Sequence, residues 1–274
     1  PPRNTMQTTE TKEQRVYDLC NEARQKFLQY SGGPAPPDLF VQARWSMANV
    51  HLLLTDAVQN IYDQAESITE AQQSAFIQYA YFSEQVLHHH HWFEETIAFP
   101  IISPEFQCDI LEEHAAFSDA MERWEEYLES LLGLEKNKDG KAVPSLNKTK
   151  AVYDSKRMKR YIEDMSEPLF VHLMHEIDWL APENIRTSGL PLSKLERLKE
   201  DPFTFGCWVV AHGRPELQFP EMPWLGKKVL FPWVFYWKYR SVSGVTLLRV
   251  QNWSLILSQA WQFAPKYPIV EKSQ

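Results

Sequence analysis

Apolar residues recur at three- and four-residue spacing along most of the first 180 positions, the periodicity of helices with one buried face. A peripheral helix is predicted over 11–30, with Val16, Leu19, Ala23 and Phe27 as its stripe and Ser31-Gly32-Gly33 as its stop. After a short linker at Pro34–Pro37, four longer helical patterns follow at about 40–63, 68–98, 105–132 and 149–180. Their stripes are not purely apolar. The first aligns Met47, His51, Leu54, Val58 and Ile61; the second aligns Tyr79, Ser83, Val86, His90, Glu94 and Ile97. The third places His114, Phe117, Ser118, Met121 and Leu128 together, and the fourth Ile162, Met165, Leu169, His172, Glu176 and Trp179. Between these last two, Lys136–Lys150 is polar, carries the turn signal Asp139-Gly140 and reads as a solvated loop. Four amphipathic helices with His and Glu on their buried stripes predict an all-α, up-down four-helix bundle with a site in its core.

From about 200 onward the pattern breaks. Pro202, Pro215, Pro220, Pro223 and Pro232 exclude one long helix there, because proline removes a backbone donor and clashes with the preceding turn. The same segment is rich in Trp, Phe and Tyr, a load of apolar surface that would not stay solvated. An ordered tail is therefore expected, packed on the bundle or capping one end, with helical turns within 233–262. The expected organisation is an N-terminal helix and linker at 1–38, the four-helix unit at 39–198 and an aromatic-rich extension at 199–274.

Composition narrows the function. The chain has 274 residues, 44% of them hydrophobic, enough to bury a full core, and a net charge of −8 with no basic run. Nucleic acid and anionic membrane are thus poor partners. Cys20, Cys108 and Cys207 are odd in number and far apart, and no apolar run approaches the length of a membrane span. A cytoplasmic setting is the expectation.

The candidate chemistry lies in a spacing that occurs twice. His90-x-x-x-Glu94 is followed by Pro100, and His172-x-x-x-Glu176 by Pro182. Residues four apart on a helix share a face, and imidazole with carboxylate is a donor set that iron, zinc and manganese accept. Two such pairs could hold two metal ions with the carboxylates bridging. Eight of the nine His fall in the four helices: His51, the run His88–His91, His114, His172 and His175. Burying four imidazoles and two carboxylates would cost several kcal/mol per charged group unless something pairs them. Within the run, neighbours point about 100° apart, so at most two can reach one site. The repeat favours His90 with Glu94, while His91 with Glu95 is the competing register and stays open. His175, one turn from His172, reads as an outer partner. Asp56 and Asp119, five residues past His51 and His114, point roughly 140° away from those His and read as solvated or supporting.

These residues carry a resemblance. In MANVHLLLTDAVQNIY (47–62), LHHHHWFEETIAFPII (87–102), EEHAAF (112–117) and FVHLMHEI (170–177), the order of His and Glu is similar to that of the hemerythrin-like HHE cation-binding domains, nearest their fungal branch. The tail resembles that branch too, in 205–240 and in AWQFAP (260–265). The resemblance implies a non-heme centre of two iron ions cycling between Fe2+ and Fe3+, with manganese or zinc less favoured. Its implied ligands are His51, His90, Glu94, His114, His172 and Glu176, the two Glu as bridges. His91, Glu95, Glu113, His175 and Asp178 are the supporting or alternative residues.

One departure bears on function. The family commonly carries a further His four residues after the third-helix His, and this chain has Ser118 there. A position left open near Ser118 would admit an exogenous ligand, which distinguishes catalytic from closed metal sites. The favoured expectation is an O2-dependent oxidase or oxygenase of secondary metabolism, acting on a small organic substrate with an electron donor. The alternative is a carrier or sensor of O2, NO or iron without turnover.

Overall fold

The computed structural model describes residues 11–102, 107–138, 140, 142–145, 150–196 and, in the tail, 208, 209, 212–214, 217, 219 and 261–266. The chain is mostly helical. In order come α1 (Lys12–Leu28), α2 (Leu39–Gln64), α3 (Glu70–Phe93), a π-helical segment (Glu94–Ala98), α4 (Phe99–Ile102) and α5 (Gln107–Leu132). A two-stranded hairpin of β1 (Leu134–Lys136) and β2 (Ala142–Pro144) leads to α6 (Ser155–Trp179), α7 (Pro182–Thr187) and α8 (Leu192–Leu195). A short 3₁₀ turn, Trp261–Phe263, lies in the tail.

The long helices begin where their side chains can satisfy the free backbone donors of a first turn. Thr11 accepts from the Gln14 N–H, Asp38 from the Phe40 N–H and Asp154 from the Arg157 N–H. At Thr69 the Gln72 side chain accepts from the backbone N–H, which closes the first turn of α3. α5 stops at Gly133, whose φ of 70° suits the left-handed exit of a helix and is strained for any side chain. That exit starts the hairpin, which is antiparallel with Glu135 opposite Val143. The stretch expected to be a solvated loop therefore contains a small ladder. Leu134, buried at 3% exposure, gives it an anchor that composition did not reveal.

α5 packs along α6, α1 lies on α6 and α2, and α3 packs on α5 with further contact between α2 and both α6 and α3. Two apolar clusters result. The larger runs through α1, α2, α3, α5 and α6 and takes in Trp208, Leu217, Phe263 and Ala264 of the tail. The smaller joins Ala98, Phe99, Ile102, Ile110, Leu180, Ile185 and Leu195. Along α3 and the π-segment, His90, His91 and Glu94 lie between Leu87 of the larger cluster and Ala98 of the smaller. On α5, His114 lies between Phe117 of the larger and Ile110 of the smaller. The polar residues thus occupy a layer between two apolar ones.

The described tail residues are tied down by polar groups as well as apolar ones. Arg214 grips Asp56 of α2 through two bonds, at 2.7 and 2.9 Å, and Arg24 of α1 donates to the same carboxylate at 3.0 Å. Asp56 is 5% exposed, so the expectation of a solvated or metal-supporting Asp is corrected. It joins α1, α2 and the tail, because two arginines compensate the charge that burial would otherwise forbid. Nearby, Trp208 donates to Ser83 Oγ at 3.0 Å and stacks on His212 with ring centroids 4.1 Å apart. His212 Nδ1 donates to the Trp208 carbonyl at 2.8 Å, and its Nε2 accepts from the Tyr79 hydroxyl at 2.8 Å. Burial lowers the His212 pKa to about 4, which keeps the ring neutral and able to accept. The helical turns expected within 233–262 lie almost wholly outside the described residues. Asp56→Ala, which leaves two arginines facing one another, is expected to destabilise the fold by about 3 kcal/mol in denaturant unfolding. A loss below 0.5 kcal/mol, the range of ordinary surface changes, would mean the bridge adds nothing.

Candidate metal centre

Seven side chains from α2, α3, the π-segment, α5 and α6 converge in two groups. His51, His90, Glu94 and Glu176 form one, and His91, Glu94, His114 and His172 form the other; within each the donor atoms lie within 4.8 Å of one another. None is more than 5% exposed. Such buried groups could hold metal ions.

Glu94 belongs to both groups and divides its two oxygens between them. Oε1 lies 2.7 Å from His90 Nε2 and 3.7 Å from His51 Nε2, while Oε2 lies 3.7 Å from His114 Nε2 and 4.0 Å from His172 Nε2. Glu176 Oε2 lies 3.0 Å from His51 Nε2. Donors about 2.1 Å from a shared ion stand about 3–4 Å apart, so these separations are those of ligands around one ion per group. None of these approaches makes a hydrogen bond to the carboxylates. All four oxygens of Glu94 and Glu176, and both ring nitrogens of His91, are buried without a hydrogen-bond partner among the described residues. Burying so many unsatisfied polar atoms is costly, and a cation is the partner that both carboxylate oxygens and imidazole lone pairs accept.

The tautomers point the same way. His51 Nδ1 donates to the Leu173 carbonyl at 3.0 Å, His114 Nδ1 to Glu95 at 2.6 Å and His172 Nδ1 to Glu113 at 3.1 Å. Each ring therefore keeps its proton on the outer nitrogen and turns the Nε2 lone pair inward. Yet His114 Nε2 and His172 Nε2 stand 2.8 Å apart, and His51 Nε2 and His90 Nε2 3.0 Å apart. Facing lone pairs at that range repel unless a proton or a metal ion lies between them.

Without an ion, protons must do this work. Burial pulls the His172 pKa down, but the hydrogen bond to Glu113 and the charges of Glu94 and Glu176 raise it to about 9. Burial and the adjacent Glu94 charge push Glu176 well above the usual carboxylate range. Glu94 sits well below it: burial alone would raise it, but the His90 charge and the imidazoles of His172 and His51 around it prevail. Burial holds His91 and His51 below the ordinary imidazole value.

The helix that supplies His90, His91, Glu94 and Glu95 widens just where these residues end. The Phe99 N–H bonds to the Glu94 carbonyl, five residues back, which widens the helix by one residue. That wider turn also accommodates Pro100, which cannot donate and would crowd an α-helical turn. Glu94 lies about 40° around the axis from His90 and about 60° on the other side from His91, so it sits between them. His90 and His91 consequently fall in one group each. Glu95 points to the outer nitrogen of His114. Phe117 packs against the rings of His91, His114 and His172, with centroids 4.9, 5.5 and 5.7 Å away, and Phe27 of α1 covers His51 at 5.3 Å.

Of the remaining sequence candidates, Glu113 bridges His172 and His175 and faces the centre from outside. His175 is half-exposed and reaches the centre only through Glu113. Asp178 pairs with Lys26 and Arg44 at the surface and has no donor in either group. Ser118 Oγ donates to the His114 carbonyl at 2.7 Å and belongs to neither group. Without Ser118, the group of His91, Glu94, His114 and His172 still offers four donor atoms. The adjacency of His90 and His91 was the available signal: the repeat favours one of them, and the structure places each in one group.

No protein-family model matches the chain, and no curated protein or solved structure matches it.

Proposed function

We propose that this chain is a dinuclear non-heme iron protein of the hemerythrin-like type, with α2, α3, α5 and α6 as an up-down four-helix bundle. We propose further that it is an oxidoreductase using O2 on a small organic metabolite. The observation that carries the metal reading is the pair of buried donor groups sharing Glu94, with four carboxylate oxygens that have no hydrogen-bond partner among the described residues. Imidazole with carboxylate suits iron, and two iron ions would supply the electrons for O2 reduction that no side chain here can provide.

The protein's own part is orientation, exclusion of water and movement of protons. Leu173, Glu95 and Glu113 fix three imidazoles with their Nε2 lone pairs inward. Phe27 and Phe117 pack apolar rings against His51 and His91 and offer no donor of their own on those sides. An oxidase consumes protons. His175, half-exposed, bonds at 2.7 Å to Glu113, which bonds to His172, and this forms a hydrogen-bonded route from solvent to one side of the centre. That route favours turnover.

A second reading, a reversible carrier or sensor of O2 or NO, is favoured by His91. With it, each group has four protein donors. The test is the optical spectrum of the reduced, iron-loaded protein after exposure to air, with small-molecule substrates present and absent. Substrate-dependent decay to an oxidised product supports the oxidoreductase. An oxygenated band that persists and reverses under vacuum, indifferent to substrates, replaces it with the carrier. No reaction with O2 removes the oxidoreductase and the O2 carrier and leaves NO binding, read from the same spectrum under NO.

A further inference from the structure

Resting on the dinuclear reading, we infer that the two metal positions are held by different means and that Glu95 and Glu113 are positioning residues for only one of them, the position of His91, His114 and His172. The donor sets differ. One group offers two imidazoles and two carboxylates, the other three imidazoles and the shared Glu94. The outer support differs more. His114 and His172 each give their Nδ1 proton to a carboxylate, Glu95 at 2.6 Å and Glu113 at 3.1 Å. His51 gives its Nδ1 proton to a neutral carbonyl, that of Leu173.

A carboxylate accepting from Nδ1 draws the ring toward imidazolate and makes Nε2 a stronger donor; a peptide carbonyl does this far less. It also locks the ring's orientation. The exposure of the two halves follows the same division. Glu95 is about one-third exposed and Glu113 about one-quarter at the side chain, while Glu94, Glu176 and His51 are fully buried. The His114–His172 half therefore meets solvent through its two carboxylates, with His175 attached to Glu113. Protons displaced when a metal binds have an exit on this side. The His51–Glu176 half is enclosed by Phe27, Leu173 and the apolar core.

The experiment is a cobalt(II) titration of metal-free full-length protein, followed by visible absorption and by competition with a chelator, in wild type, Glu95→Gln, Glu113→Gln and the double variant. Glutamine keeps the volume and a hydrogen-bond acceptor but removes the charge. The expected wild-type result is two binding steps. Each single variant should weaken one step by about 10–100-fold, the cost typical of losing such a partner. The double variant should weaken that same step further and leave the other unchanged, with far-UV circular dichroism unaltered. A purely structural role would weaken both steps together, and that result overturns the inference, as does no weakening of either step. Binding of one cobalt ion or none by wild type would overturn the dinuclear reading itself, a different failure from the first two.

Discussion

Glu94→Ala is expected to strip the protein of nearly all its metal, whereas Glu176→Ala should retain the ion of the three-histidine group. The reason is the division of labour at Glu94: one oxygen faces His51 and His90, the other His114 and His172. Among the described residues no other belongs to both groups. Removing it takes a donor from each ion and the negative charge that neutralises both. Glu176, by contrast, belongs to one group. Metal analysis of aerobically purified protein checks this, with about two transition-metal ions per chain for wild type, near zero for Glu94→Ala and near one for Glu176→Ala. Thermal unfolding supplies a second readout. Metal binds only the folded centre, so its loss should lower the melting temperature, and Glu94→Ala should respond least to added metal. If Glu94→Ala holds as much metal as wild type, the shared-carboxylate centre is wrong.

His90→Ala and His91→Ala should be equally damaging, each costing one ion, although adjacent residues on a helix rarely serve one site. His90 is grouped with His51 and Glu176, His91 with His114 and His172. His88 is exposed, and His88→Ala should leave metal content unchanged; so should His89→Ala, whose ring lies against Trp92. The same metal analysis decides. One damaging and one silent substitution at 90 and 91 would restore a single register, that of the repeat if His90 is the damaging position and the competing one if His91 is. Full retention in both would remove the run from the centre altogether.

Most of this was legible before any coordinates, for identifiable reasons. Helical periodicity located α1, α2, α3, α5 and α6, because each buries one broad apolar face. The i, i+4 spacing placed His90 beside Glu94 and His172 beside Glu176. Three features were not legible. The grouping of His91 depends on where two positions stand around the helix axis, and a one-dimensional repeat favours one residue where the three-dimensional geometry places one in each group. Asp56 was misjudged because its partners, Arg24 and Arg214, are distant in sequence, and only packing reveals that both arrive at one buried carboxylate. The hairpin after α5 escaped notice because three-residue strands are too short to show alternation.

The π-segment at Glu94–Ala98 also bears on how this chain can change by insertion and deletion. A π-turn is an α-helix carrying one surplus residue, so everything beyond it is rotated by about 100° relative to everything before it. Upstream, the phase of α3 is dictated by His90, His91 and Glu94. Downstream, it is dictated by Phe99 and Ile102, which must face the smaller apolar cluster. The surplus residue lets each demand be met without compromising the other. Removing one residue between Thr96 and Ala98 would restore plain α-helix and turn Phe99 and Ile102 out of their cluster while leaving the donors in place. Drift in length is therefore tolerated on neither side of the bulge, and the bulge itself marks where one residue separates two independent packing problems.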